Sequence, residues 1–430
     1  MSIIANIHYF DLETKELINK DLYILINKKK IGMYQPPPKE IVPYIIDEKK
    51  QLIYLPFYYA VNNIKLSRKP RNTFTKMNLE FNGSLRENQL IVKKEALNIL
   101  NKKSSVILSL HVGFGKTICS INLACEIKLK TLIIVNKIVL MNQWQDAIMK
   151  VCPSAIVQKI TTKTKSKFNE DADFYIINAI NVEKLGCDYF SNIGLCIVDE
   201  IHLIMAETLS KSLLYISPRY LIGLSATPYR DDGLDPLFNF FFGDDECKII
   251  REMNRKHRVY KVYTGFTPEM VTTENGTLNW SSIINEQSTN IERNELIISI
   301  AKKYSDRRIM IITKRIDQGN YLYNRLLEEN ELVTSLLGSN QDFDKSSRIL
   351  VGSLSKIGCG FDHSVLDTLI LASDVEAYFI QTLGRVFRKN DETVPYIFDL
   401  VDDNPVLLRH FKTRVEVYKK TGGEIINYIF

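Results

Sequence analysis

The sequence predicts an α/β protein made of two parallel-sheet lobes in tandem, preceded by a small strand-rich N-terminal domain. Three observations carry this prediction. From about residue 85 onward, short apolar runs alternate with segments of helical period. The runs are continuous in Ile, Val and Leu rather than alternating, as expected of strands covered by helices on both faces. They fall into two series, separated by the stretch 231–290.

Residues 1–80 read differently. Strand-like segments Leu22–Ile26, Ile41–Ile46 and Leu52–Tyr59 flank a basic triplet, Lys28-Lys29-Lys30, and a proline run, Pro36-Pro37-Pro38. Proline has no N–H to donate, so the run is expected to be extended and solvated. Residues 61–78 hold Lys65, Arg68, Lys69, Arg71 and Lys76 without an acidic residue. Such a stretch reads either as a solvated linker or as a stripe that contacts phosphates.

The first series of strands is Val106–Leu110, Thr131–Val135, Phe174–Ile177, Leu195–Val198 and Leu221–Leu224. The second is Ile309–Thr313, Leu332–Leu336, Ile349–Gly352, Leu369–Ala372 and Tyr396–Leu400, with helices such as Arg293–Tyr304 and Asp317–Glu329 between. The stretch 231–290 reads as irregular, and the chain closes with a helix over Val406–Lys420 and a last strand. The expected domains are 1–80, 81–245 (first lobe) and 246–430 (second lobe).

Composition bounds the function. The chain has 430 residues, 45% hydrophobic and 25% charged, which is ordinary for globular proteins. No apolar run approaches the ~18 residues of a membrane span, and the first residues lack the basic start and apolar core of a secretory signal. A net charge of +6 permits a nucleic-acid partner without demanding one. The seven cysteines (Cys119, Cys125, Cys152, Cys187, Cys196, Cys247 and Cys359) form no CxxC pair. They are expected to be reduced thiols in an intracellular protein rather than zinc ligands.

Two constellations carry chemistry. In Val106–Thr117 a hydrophobic strand runs into Gly113-Phe114-Gly115-Lys116-Thr117 ahead of a helical segment, the context of a phosphate-binding loop. Glycines let backbone N–H groups turn toward phosphate, and the helix N-terminus adds positive potential. Lys116 would reach the β- and γ-phosphates, and the Thr117 hydroxyl would ligate Mg²⁺. Leu110 stands where such loops usually begin with glycine. Further on, the strand Leu195–Val198 delivers Asp199-Glu200-Ile201-His202. Here Asp199 would hold Mg²⁺ and Glu200 would orient and polarise water. In the second lobe, Gln381-Thr382-Leu383-Gly384-Arg385-Val386-Phe387-Arg388 is expected on a helix, with Gln381, Arg385 and Arg388 sharing one face. Arginine suits a γ-phosphate because its planar fork stays charged. A loop on one lobe and arginines on the other imply ATP bound between them.

GKT, DEIH, Ser225-Ala226-Thr227 and QTLGRVFR, in this order, resemble motifs I, II, III and VI of the superfamily 2 helicases. Leu85-Arg86-Glu87-Asn88-Gln89 resembles the glutamine motif, which implies that Gln89 reads adenine. Asn136-Lys137 through Trp144, Thr313-Lys314-Arg315, and Ser353 to Gly360-Phe361-Asp362 fall where motifs Ia, IV and V belong. Motif V here carries Ser353 where threonine is more usual. Ala226 to Asp235, with Phe241-Phe242-Gly243, resembles the branch that holds XPB and UvsW, and the overall look is that of helicases from large cytoplasmic DNA viruses, poxvirus transcript-release helicases among them. The resemblance implies two RecA-like lobes and an ATP-driven DNA helicase or translocase; an RNA-tracking remodeller and a branch-migration helicase are the alternatives. It further implies ATP contacts at Gln89, Gly113, Gly115, Lys116, Thr117 and Asp362, and nucleic-acid contacts at Asn136, Lys137, Thr313, Lys314 and Ser353. Coupling between the two would run through His202, Ser225 and Thr227. DNA is favoured over RNA as the strand, transcription machinery is a further partner, and the protein is expected to be a monomer in the host cytoplasm or virion.

Overall fold

The computed structural model describes residues 1–26, 37–161, 168–226, 232–273, 276, 278–340, 342–357, 361, 363–376, 379–388 and 392–429, apart from the side chains of residues 207 and 208. The chain forms two compact units, one running to Arg251 and the other spanning Glu252–Phe430.

The first unit begins with β1 (Ser2–Asn6), β2 (Ile24–Ile26), β3 (Lys39–Ile41), β4 (Ile45–Asp47) and β5 (Leu52–Pro56). These strands pair antiparallel, β1-β5-β4 and β2-β3. Pro43 divides the expected Ile41–Ile46 strand in two, and the Leu52 strand stops at Pro56, after which the backbone turns helical. A helix not expected from the sequence, Leu12–Asp21, follows β1, and Asp11 caps its start by accepting the Thr14 N–H at 2.8 Å.

The main sheet of this unit comprises β6 (Ser105–Leu110), β7 (Thr131–Val135), β8 (Val157–Ile160), β9 (Phe174–Asn178), β10 (Leu195–Val198), β11 (Tyr220–Ser225) and β12 (Lys248–Arg251). All are parallel, in the order β12-β6-β11-β10-β7-β9-β8. Every residue of β6, β7, β10 and β11 is buried, as the continuous apolar runs require. Gly223 in β11 is there for space, since a Cβ would sit 2.8 Å from the Phe242 ring. The N-terminal strands share this core: Met1, Ile3 and Leu55 belong to one cluster with Cys196 and Leu221. Residues 61–78 are more than a solvated linker. Phe74 and Met77 are buried, Arg71 donates to the Ile127 carbonyl at 2.6 Å, and Lys76 bridges to Leu129.

The second unit has its own parallel sheet: β13 (His257–Tyr263), β14 (Ile309–Thr313), β15 (Val333–Leu336), β16 (Ile349–Ser353), β17 (Thr368–Leu371), β18 (Tyr396–Val401) and β19 (Gly423–Asn427). The order is β15-β16-β14-β17-β18-β13-β19. The stretch expected to be irregular contains the helix Pro236–Phe242, both β12 and β13, and the helix Trp280–Thr289. A buried polar network ties strand ends together. Arg293 Nε donates to Asp402 Oδ1 at 2.9 Å, with both side chains essentially sealed from solvent. Arg414 grips Asp399 at 2.8 and 2.9 Å and Asp374 at 2.6 Å. Buried arginines of this kind persist because a carboxylate neutralises each one. Among the described residues no helix is long and apolar enough to cross a membrane.

Candidate active site

The ends of β6, β11 and β10, neighbours in the first sheet, bring the predicted nucleotide residues to one edge. Beyond β6 the loop turns through Gly113 (φ +83°) and Gly115 (φ +94°) into the helix Lys116–Ile127. Both angles lie in the left-handed region that glycine adopts without strain. At Gly115 a Cβ would also collide with Gln89 Nε2 at 2.5 Å. The helix opens with backbone N–H groups that have no partner within it, the usual anion-attracting arrangement.

Side chains brace this loop from behind. Arg86 reaches the carbonyls of Gly113, at 3.2 Å, and Phe114. Gln89 Nε2 donates to the Phe114 carbonyl at 2.7 Å, while its Oε1 accepts the Arg86 N–H at 2.9 Å. Gln89 is buried with both ends of its amide engaged by the protein, so here it holds the loop. Lys116 Nζ donates to the Leu110 carbonyl at 2.9 Å. Leu110 itself is the fully buried last residue of β6, so its side chain serves the core, and only its carbonyl faces the loop's lysine.

Two strands away, Asp199 follows β10. Its Oδ2 accepts the Trp144 indole N–H at 2.8 Å and its Oδ1 the Glu200 N–H at 3.0 Å. Burial, then the Glu200 charge, push its carboxyl up to about 6, against the pull of Trp144 and Lys116. Glu200 sits at φ +48°, an unfavourable angle for a side chain with a Cβ. Its Oε2 is shielded from solvent without a hydrogen-bond partner among the described residues, 3.4 Å from His202 Nδ1. His202 Nδ1 lies 2.9 Å from Ser225 Oγ at the end of β11, so the acidic pair is joined to the neighbouring strand. Thr227, next in the predicted coupling set, lies outside the described residues.

Asp199 and Glu200 crowd negative charge that Lys116 offsets only in part, as the raised Asp199 carboxyl shows. The half-buried Thr117 hydroxyl and Asp199 are hard oxygen donors, so the residues present fit a small divalent cation.

In the second unit, Gln381 and Arg385 lie on the helix Phe379–Val386 and are buried. Arg385 Nη1 donates to the Phe361 carbonyl at 2.6 Å. The helix ends at Val386, so Arg388 lies beyond it and does not continue the Gln381–Arg385 face. This corrects the expectation of one helix through all three. Asp362 lies outside the described residues.

The predicted strand contacts also sit at strand ends. Asn136 and Lys137 follow β7, and Lys137 is exposed. In the second unit Thr313 ends β14, Lys314 follows it, and Ser353 ends β16. Thr313 is fully enclosed, and Lys314, lowered by burial, donates its N–H to Ser373 Oγ at 3.1 Å. Trp144 was legible only as part of a motif; its contact with Asp199 depends on β7 and β10 being neighbours, which spacing alone does not reveal.

Comparison with known proteins agrees with this architecture. Residues 59–230 match the family described as "Type III restriction enzyme, res subunit". The chain is 46% identical to "Putative helicase 161L" of Invertebrate iridescent virus 6 over 93% of its own length and 94% of that protein. The chain belongs to the superfamily 2 helicases, in a group carried by viruses. It is 26% identical to "Transcript termination protein A18" of Yaba-like disease virus, covering 70% of this chain and 68% of that one. The fold is shared with S. cerevisiae Dbp5 bound to RNA and ADP BeF3, with TM-score 0.56 and 13% identity over 78% of this chain and 89% of that one.

Proposed function

We propose that this helicase is a nucleic-acid-stimulated ATPase that moves on DNA and serves the release of viral transcripts. The observation that carries the reading is the adjacency of Lys116, Asp199-Glu200 and the His202–Ser225 contact at one sheet edge. The likeness to the poxvirus termination protein supports the transcript-release role.

In this reading Lys116 leaves the Leu110 carbonyl to meet the β- and γ-phosphates, and the loop's backbone N–H groups hold their oxygens. Thr117 and Asp199 would hold Mg²⁺, which when bound would neutralise charge on the phosphates. Glu200 accepts a proton of the attacking water through the carboxylate oxygen that now lacks a partner. His202 and Ser225 pass the state of the acidic pair to the next strand end. Gln381, Arg385 and Arg388 contribute to hydrolysis, the arginines by charge that matters most in the transition state. Asn136, Lys137, Lys314 and Ser353 face the phosphate backbone, with Thr313 supporting them from within.

The deciding experiment compares ATP turnover with single-stranded DNA, duplex DNA, forked DNA and RNA. Stimulation by the DNA arms above the RNA arm is expected. Stimulation by RNA alone would make the protein an RNA-tracking remodeller.

A further inference from the structure

The site above uses the edge of the first sheet where its strands end. Residues 62–77 run along the other edge, where they begin. Asn62 Nδ2 donates to the Lys103 carbonyl at 3.4 Å, ahead of β6. Met77 N–H donates to the Lys128 carbonyl at 3.1 Å and Lys130 N–H to Thr75 at 3.2 Å, ahead of β7. Midway between, Arg68 lies within electrostatic reach of Arg219, the residue before β11. Strands β6, β11, β10 and β7 lie side by side, so the segment crosses three strand spacings, roughly 14 Å.

These two arginines are oddly placed for a folded protein. Among the described residues neither guanidinium has a carboxylate partner, and Arg68 Nη1 and Arg219 Nε are shielded from solvent with no acceptor. Arg219 packs over the Tyr220 ring at 5.5 Å, which orients it without neutralising it. Burial, and next the Arg219 charge, hold Arg68 below the usual arginine value. Two half-buried like charges cost stability unless something anionic joins them. The surroundings say what that would be. The segment has no acidic residue, and it exposes Lys65, Lys69, Arg71 and Lys76 beside the pair. About 14 Å is the axial length of roughly four phosphates on one strand of a duplex.

We propose that Arg68 and Arg219 form a second phosphate site, on the sheet edge opposite the nucleotide loop, that grips the backbone of the nucleic acid on which the protein acts. This rests on the reading of the chain as a nucleic-acid motor. The guanidinium forks take two oxygens of a phosphodiester, and the flanking basic residues extend the track.

The test measures binding of labelled duplex DNA, single-stranded DNA and single-stranded RNA across a salt series. It uses wild type, Arg68→Gln/Arg219→Gln, Arg68→Lys/Arg219→Lys and Arg219→Glu. The Gln double variant should lose about tenfold or more in affinity, and its slope of log K against log salt should fall by about 2. The Lys double variant should keep most of the slope. Arg219→Glu gives Arg68 an internal partner, so its melting temperature should rise while binding falls. Unstimulated ATP turnover should not change in any of them. Unchanged affinity and slope in the Gln double variant would overturn the site, and leave an acidic protein segment as the anion that fits it. A Lys variant as weak as the Gln variant would overturn it too, since charge would not be what binds. A wild type that binds none of the three probes would remove the motor reading along with the site.

Discussion

The Trp144 indole donates its N–H to Asp199 Oδ2 at 2.8 Å, fixing a carboxylate that the loop lysine and Glu200 both influence. The bond reaches from the helix after β7 to the end of β10, and it favours the ionised form of a carboxyl that burial pushes toward neutrality. Trp144→Phe keeps the ring and removes the donor. A hydrogen bond to a charged group contributes ~1.5–3 kcal/mol, so the Mg²⁺ concentration for half-maximal turnover should rise at least about tenfold. Titrating Mg²⁺ at fixed ATP reads this directly, and no shift would make the indole a space-filling group. Trp144 and Trp280 are the only tryptophans. Emission in a Trp280→Phe background should therefore change when Mg²⁺ and ATP bind.

Lys116→Ala should abolish ATP turnover, because the loop loses the charge that meets the phosphates. The ammonium is bonded to the Leu110 carbonyl, so thermal stability should fall by no more than the ~1.5–3 kcal/mol of a hydrogen bond from a charged group. Steady-state turnover and a melting curve on the same sample test both halves. Retention of more than about a tenth of the rate would contradict the loop assignment.

The two arginines of the QTLGRVFR segment should separate. Arg385 is buried and bonded to the Phe361 carbonyl, while Arg388 stands past the helix end. Both Ala variants should lose turnover by about 10³, as arginines serving phosphoryl transfer generally do. Arg385→Ala alone should also lower the melting temperature, because it empties a buried position. Equal, small effects on turnover would leave both as structural residues.

The second unit should be acid-sensitive at Asp374. Burial drives its carboxyl up, but hydrogen bonds from His410 and Arg414 outweigh it, and the carboxyl ends below the ordinary value. A carboxyl lower in the folded than in the unfolded chain adds stability above the unfolded value of about 3.9. That stability is lost as pH falls through the folded value. Urea unfolding should therefore show wild type more stable than Asp374→Asn at about pH 5 and above. The difference should shrink below about 4. A gap that widens in acid would show that the carboxyl is not held low.

Much of this was legible in the sequence because the central strands have to be apolar throughout. β6, β7, β10 and β11 are read almost to the residue, and the loop and acidic pair follow from where those strands end. Strands without a continuous apolar run were harder. β12 pairs on one side only and exposes Ile250, and β13 alternates buried and exposed positions, so neither stands out as a continuous run. The helix Trp280–Thr289 hides behind Ser, Asn and Thr, residues that favour turns as readily as helices. Residues 61–78 look like a linker because their charges are conspicuous, whereas Phe74 and Met77 do the anchoring. Relations across strands, such as the Trp144–Asp199 bond and the Arg68–Arg219 charge pair, depend on sheet order, which no local pattern encodes.

The central claim is that Glu200 activates water for ATP hydrolysis that nucleic acid stimulates. The most direct test measures ATP affinity and steady-state turnover of wild type and Glu200→Gln, each with and without DNA. DNA should raise the wild-type rate several-fold. Glu200→Gln should bind ATP within about threefold of wild type and turn over at least about 10² more slowly, with or without DNA, since an amide cannot take the proton. Hydrolysis by Glu200→Gln at the wild-type rate, or a wild-type rate that DNA leaves unchanged, would contradict the account.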